Sequence, residues 1–220
     1  LVAYFEKTAN QFPSISFKQT IGPVVRQEIF SANGNHANER FGLHPELPLI
    51  LITGGGQGAV GLNRAVLPLL KHLLNNFQVV HLTGSGAANN LEQEVSVFSH
   101  QHYHPLEIVH EGMGDLLAKS EIVLTRAGMG ILGELAFLQK DTVLIPLPGT
   151  HQEENALLIK ENDAAEYVSQ QVLATEGINW WNNFLEKRVP GAMGKKLHKL
   201  LPEGGTKDFA KLVFEFSGKG

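Results

Sequence analysis

At 220 residues, 43% hydrophobic and 18% charged, the chain can bury one good core, or one core with an extension. Its formal net charge of -4 and pI near 6.2, with no basic stripe, argue against nucleic acid as a main partner. The absence of cysteine excludes disulfides, thiolate nucleophiles and thiolate metal sites together, and fits a reducing compartment such as the cytoplasm.

No apolar run approaches the length of a membrane span, and the first residues have neither the basic start nor the apolar block of a signal peptide. The opening stretch from Leu1 reads like the end of a preceding domain, as expected of a fragment. Residues 1–45 are mixed. Strand character over Ile15 to Ile21 is broken by Gly22-Pro23, and an Asn-rich stretch runs from Ser31 to Arg40. They are expected to form the end of an N-terminal half and an interdomain linker.

From Pro48 the pattern becomes regular. Leu49 to Ile52 is a short continuous apolar run, as expected of a strand buried on both faces. Gly54-Gly55-Gly56-Gln57-Gly58 follows, and then Leu62, Val66, Leu69, Leu70 and Leu73 recur at helical spacing, so the glycines occupy a strand-to-helix turn. The alternation continues through a strand over Phe77 to Leu82, the break Gly84-Ser85-Gly86, a strand at Glu107-Ile108-Val109 and a small helix over Met113 to Lys119. Next come a strand at Ile122 to Leu124, the turn Gly128-Met129-Gly130, a helix carrying Leu132, Leu135 and Leu138, and a strand at Thr142 to Ile145. A helix over His151 to Glu161 and a last strand at Ala165 to Val168 complete it. Strands alternating with helices predict an α/β, doubly wound parallel sheet of Rossmann-like type. Residues 46–204 are expected to hold it. Two or three helices should follow Val172, and the last, within 205–220, carries Phe209, Leu212, Val213 and Phe216 on a face that needs a partner surface.

Such a sheet binds its ligand at the carboxyl ends of its strands, where the Gly- and Pro-rich turns fall. Glycines at a helix opening let an anion approach unpaired backbone N–H groups; the plain alternative is a tight turn that needs positive φ. The stretch from Gly56 also fits G-x-G-x-x-G, but a nicotinamide-dinucleotide domain wants an acid after the second strand, where His81 and Thr83 stand. Glu134, one turn inside a helix, can accept two hydrogen bonds from a ribose diol or merely complement the dipole. Gln152 and Asn155, three apart, share a helix face and suit sugar hydroxyls or plain solvent. His100, His102 and His104 alternate, but no cysteine or carboxylate set completes a shell, so a solvated connection is expected and no metal site.

These motifs resemble the glycosyltransferase family 28 C-terminal domain, from about Ile15 to the end. Gly54-Gly55-Gly56-Gln57-Gly58-Ala59 is similar to its G-G-S-Q-G-A loop, Arg126-Ala127-Gly128-Met129-Gly130 with Glu134 to S-R-A-G-A-G-T…E, and His151-Gln152-Glu153-Glu154-Asn155-Ala156 to H-Q-x-x-N-A. Gly22-Pro23-Val24-Val25-Arg26-Gln27-Glu28-Ile29 is similar to G-N-P-V-R-x-E-I. Gly56, Ile131 and Pro23-Val24 depart from the pattern, each deleting a side-chain hydrogen bond. The resemblance implies the C-terminal half of a two-domain GT-B transferase that moves N-acetylglucosamine from UDP-N-acetylglucosamine to a lipid-linked peptidoglycan precursor. Under it, Glu134 holds the ribose hydroxyls, and Gln152 and Asn155, with His151 beside them, hold the sugar. Arg26 and the loop Gly54-Gly55-Gly56-Gln57-Gly58 face the interdomain cleft and the diphosphate, Gly128, Met129 and Gly130 belong to the donor site, and backbone near His110 meets the uracil edge.

The catalytic base, the acceptor loops and the membrane-facing patch then belong to an N-terminal half, in cis or as a separate chain, so this chain alone is expected to be inactive. No cofactor and no metal are implied, since helix ends hold the leaving UDP. The full enzyme is expected at the inner face of the cell membrane. A stand-alone donor subunit, a non-catalytic nucleotide-binding module and, third, a nicotinamide dehydrogenase remain the rival readings.

Overall fold

The computed structural model describes residues 1–55, 59–84 and 101–218. A small unit comes first: β1 (Val2–Ala3), α1 (Glu6–Asn10) and β2 (Gln19–Thr20), in which β1 and β2 pair in parallel. The strand expected over residues 15–21 thus forms only at Gln19 and Thr20. Short helices α2 (Gln27–Phe30) and α3 (Gly34–Phe41) follow and send Ile29 and Ala37 into the main core.

The main sheet has six parallel strands: β3 (Leu49–Thr53), β4 (Gln78–Leu82), β5 (Tyr103–Leu106), β6 (Ser120–Thr125), β7 (Asp141–Leu144) and β8 (Glu166–Tyr167), in the order β5-β4-β3-β6-β7-β8. Its central strand shows why the apolar runs are continuous. Ile50 and Ile52 face one layer, formed by Leu62, Leu69 and Leu73 of α4 (Val60–Leu73) and Trp181 of α8 (Gln170–Lys187). Leu49 and Leu51 face the other, built from α5 (Met113–Lys119), α6 (Met129–Phe137), α7 (His151–Glu161) and α9 (Ala192–Leu200). With helices on both faces, every strand residue needs an apolar neighbour.

The fifth strand differs from expectation. It lies at Tyr103–Leu106, while Glu107, Ile108 and Val109 fall outside it. An Ile-Val pair is a strong local strand signal, but Tyr103 and His104 pair with Val79 and Val80 of β4, and cross-strand pairing overrides propensity. Pro105 is accommodated because β5 is the edge of the sheet, where a missing N–H costs little. The histidine stretch is therefore partly strand rather than a polar connection throughout; Ser99 and His100 lie outside the described residues, as do Ser85 and Gly86.

The last helix, α10 (Gly205–Phe216), crosses back toward the amino-terminal unit. Gly205 packs against the Gly22 carbonyl so closely that no side chain fits between them, which joins the entering and leaving segments of the domain. Only Leu212 of its apolar face is buried; Phe209, Val213, Phe214 and Phe216 are exposed. The Phe216 ring meets Phe17 edge-on at 4.9 Å. Among the described residues no helix is long and apolar enough to cross a membrane.

Candidate functional site

Strand order reverses between β3 and β6. From β3 the chain moves outward to β4 and β5, then returns to the other side of β3 and moves away through β6, β7 and β8. At such a switch point the loops leaving the two neighbouring strands diverge and open a crevice.

The turns bordering it are those singled out above. After β3, Gly55 adopts a φ of +92°, a conformation that disfavours any side chain, and Gly54 presses on Ala59 at the opening of α4. Gly56, Gln57 and Gly58 lie outside the described residues. After β6, Gly128 caps α6, followed by Met129 and Gly130. Neither α4 nor α6 has a side-chain cap. Among the described residues no side chain takes up their first N–H groups, which with the positive dipole ends face solvent or an anion.

The glycines of the second turn differ in kind from Gly54 and Gly55. Gly128 has a φ of -79°, and among the described residues a Cβ at Gly128 or Gly130 would meet nothing within 4 Å. The fold itself therefore does not require glycine at either place.

Two side chains, Arg126 and Asn155, fix the second and third turns together, and Gln152 braces the third. Arg126 is buried, and its Nη1 donates to the carbonyls of Ile145 and Pro146, both at 2.8 Å, while Nη2 donates to Gln170 Oε1 at 3.1 Å. Burial holds its pKa below the usual arginine range. Asn155 Nδ2 donates to the Ala127 carbonyl at 3.0 Å, and the Leu147 N–H donates to Gln152 Oε1 at 3.1 Å. Asn155 and Gln152 thus each commit one end of the amide to the scaffold. Asn155 Oδ1 and Gln152 Nε2 make no hydrogen bond among the described residues and stay available at the crevice. His151 is exposed beside them, behind the Thr150 cap of α7.

Glu134 lies one turn inside α6 and is buried. Arg26, at the start of α2, reaches it with a two-pronged grip, Nε to Oε1 at 2.5 Å and Nη2 to Oε2 at 2.9 Å. The sequence marks both residues but not their pairing. The carboxylate, chiefly through this hydrogen bond, holds the Arg26 pKa above the ordinary value. His110 is exposed ahead of α5, and no hydrogen bond links it to the other described positions. Among the described residues no group of three or more His, Asp or Glu side chains is placed to hold a metal ion.

A buried chain of polar groups that sequence reading missed links α4, β4 and β5. Asn63 Nδ2 donates to the Thr83 carbonyl at 2.8 Å, so its Oδ1 accepts from His81 Nε2 at 3.1 Å. That tautomer leaves His81 Nδ1 to accept the Tyr103 hydroxyl at 3.0 Å. The signal available was a histidine and an asparagine inside otherwise apolar periodic segments.

Burial pushes the His81 pKa from 6.5 down to about 4. The folded imidazole stays neutral while the unfolded one takes up a proton, so stability is complete above pH 6.5 and falls as the pH drops toward 4. We expect His81 to account for about 3 kcal/mol of that loss. Urea unfolding at pH 7 and pH 4.5 checks it: the loss should shrink in His81→Gln, and an unchanged loss would refute the assignment.

Comparison with known proteins gives a consistent set of likenesses. The profile of the glycosyltransferase family 28 C-terminal domain matches residues 49–180. The chain is 34% identical over 171 residues to the UDP-N-acetylglucosamine--N-acetylmuramyl-(pentapeptide) pyrophosphoryl-undecaprenol N-acetylglucosamine transferase of Roseiflexus sp. (strain RS-1), covering 70% of this chain and 39% of that protein. It is 34% identical over 178 residues to the transferase of the same name from Lachnoclostridium phytofermentans, covering 79% and 48%. The chain thus spans less than half the length of these relatives. The crystal structure of Acinetobacter baumannii MurG superposes with a TM-score of 0.72 at 20% identity, over 97% of this chain and 64% of that one.

Proposed function

We propose that this chain, which belongs to the glycosyltransferase family 28 C-terminal domain family, binds the UDP-N-acetylglucosamine donor of an inverting transferase whose acceptor is a lipid-linked peptidoglycan precursor. The fold is the C-terminal half of a GT-B glycosyltransferase. The observation that carries the reading is that two uncapped helix openings flank the switch point, with the third turn lashed to the α6 opening by Asn155 and Arg126. Amide dipoles arranged in this way suit a diphosphate. Around it, Glu134 serves the ribose, Gln152 and Asn155 serve the sugar hydroxyls, and Arg26 and the loop from Gly55 through Gly58 serve the phosphates. His151 flanks the sugar, and backbone at His110 takes the base.

In this mechanism the acceptor hydroxyl attacks the anomeric carbon as UDP departs, and the departing charge is met by α4 and α6 rather than by a metal. The attacking group's base lies in an N-terminal acceptor-binding half, upstream in the same polypeptide or on a separate chain. Support comes from the β1–β2 unit, since a two-stranded parallel sheet is marginal by itself, and from the exposed aromatic face of α10. Residues 1–45 would then be the end of that half and the linker, its α2 and α3 packed on the donor domain; 46–204 would bind donor and 205–220 pack against the N-terminal half, with the whole enzyme working at the inner membrane face.

Titration of the chain with UDP, UDP-N-acetylglucosamine, NAD and ATP tests the reading. Preference for the uridine ligands is expected, and a flat or NAD-selective response would overturn it, as sugar transfer by the chain alone would overturn the half-enzyme assignment. A chelator should leave the UDP-N-acetylglucosamine affinity within about twofold; a larger fall would put a metal in the site.

A further inference from the structure

The Arg26–Glu134 contact is a problem for any ligand that needs Glu134. The carboxylate is 6% exposed and the guanidinium 54%, so the arginine covers the open side of an otherwise enclosed acid. Both carboxylate oxygens are taken, at 2.5 and 2.9 Å. A vicinal diol placed against Glu134 needs those same oxygens as acceptors; each keeps a lone pair beyond the fork, but the arginine stands over the little of the carboxylate that is open, so diol and guanidinium compete for one approach. Arg26 also has a second acid, Glu28, at 2.7 Å from Nη1. The exposed guanidinium can therefore swing about the Glu28 contact without losing all its charge compensation.

Resting on the donor-site reading above, we infer that Arg26 is a latch on Glu134 that makes the site select nucleoside diphosphates over nucleosides. A ribose entering without phosphate must displace the guanidinium and offers nothing in return. A ribose carrying a diphosphate supplies a new anionic partner for the freed fork, beside the helix openings that already favour negative charge. The displaced arginine then moves from carboxylate to phosphate, and the net number of ion contacts is preserved. Arg26 is a specificity residue in this scheme, acting against one ligand class and for another, so the two effects of its removal have opposite signs.

The opposite signs make the test decisive. Wild type, Arg26→Ala and Arg26→Lys would be titrated with uridine, 2′-deoxyuridine and UDP, following chemical shifts in the 220-residue chain, with circular dichroism confirming the fold. Arg26→Ala is expected to bind uridine about tenfold more tightly and UDP about tenfold more weakly, while 2′-deoxyuridine, which lacks half the diol, gains less. Arg26→Lys, a cation without the fork, is expected to fall between the two. Normal UDP binding by wild type together with an unchanged or weakened uridine affinity in folded Arg26→Ala would overturn the latch alone. A wild-type chain blind to all three ligands would overturn the donor reading and the latch with it.

Discussion

Replacing Asp141 by alanine is expected to cost the domain about 3–5 kcal/mol, the largest stability loss of any single polar substitution proposed for this chain. Asp141 opens β7 and is buried. Its Oδ2 accepts from Arg188 Nε and from the Gly191 N–H, both at 2.8 Å, and its Oδ1 accepts from the Gly194 N–H at 3.1 Å. One carboxylate thus binds the end of α8 and the opening of α9 to the sheet. Arg188 is itself enclosed, with a side chain 5% exposed, so removing its acid strands a cation away from water and leaves two amides unpaired. The second acid on Arg188, Glu121, accepts from Nη1 at 2.8 Å but is 39% exposed. It is a control: solvent substitutes for a half-exposed partner, and Glu121→Ala should cost less than about 1 kcal/mol. Urea denaturation midpoints measure both. Equal losses in the two variants would mean that burial at Asp141 is not what decides its contribution.

That carboxylate shows where sequence reading stops. Asp141 follows a lysine at the head of an apolar run, a position that suggests only a solvated strand start. What makes it structural is topology: the chain must return through α8 before Arg188 comes within reach. Arg126 and Asn155 are similar, because their acceptors are backbone carbonyls of Ile145, Pro146 and Ala127, and every residue carries a carbonyl.

The elements that were legible have a local cause. Leu49 to Ile52 and Ile122 to Leu124 are apolar without interruption and lead into glycine turns; α7 begins at Thr150-His151 and ends at Glu161 as its cap and periodicity require. The alternation predicts a doubly wound sheet with its turns at the carboxyl ends of the strands, while the strand order that sets the switch point comes from non-local pairing. The strand at Tyr103 was misplaced because its neighbour Ile108-Val109 carries the stronger local propensity, while the pairing with Val79 and Val80 is non-local. The Arg26–Glu134 pair was missed for the same reason, with 108 residues separating its members.

The glycines of the second turn yield the sharpest separation of fold from function. Gly130 stands in the first turn of α6 and is exposed, and among the described residues nothing beyond its own helix lies within 4 Å of where a Cβ would be. Alanine there removes backbone entropy from the unfolded chain and suits a helix, so Gly130→Ala should stabilise the protein by about 0.5–1 kcal/mol. If a diphosphate rests on the N–H groups of this turn, the added methyl stands between the anion and its donors. A weakening of UDP by about tenfold is then expected for alanine and by about a hundredfold for Gly130→Leu, which projects further into the same space. Thermal unfolding and UDP titration on the same samples check the two halves together. A variant that is both more stable and equally tight for UDP would place the phosphates elsewhere, on the α4 opening alone. One that is less stable would mean the glycine serves the fold after all.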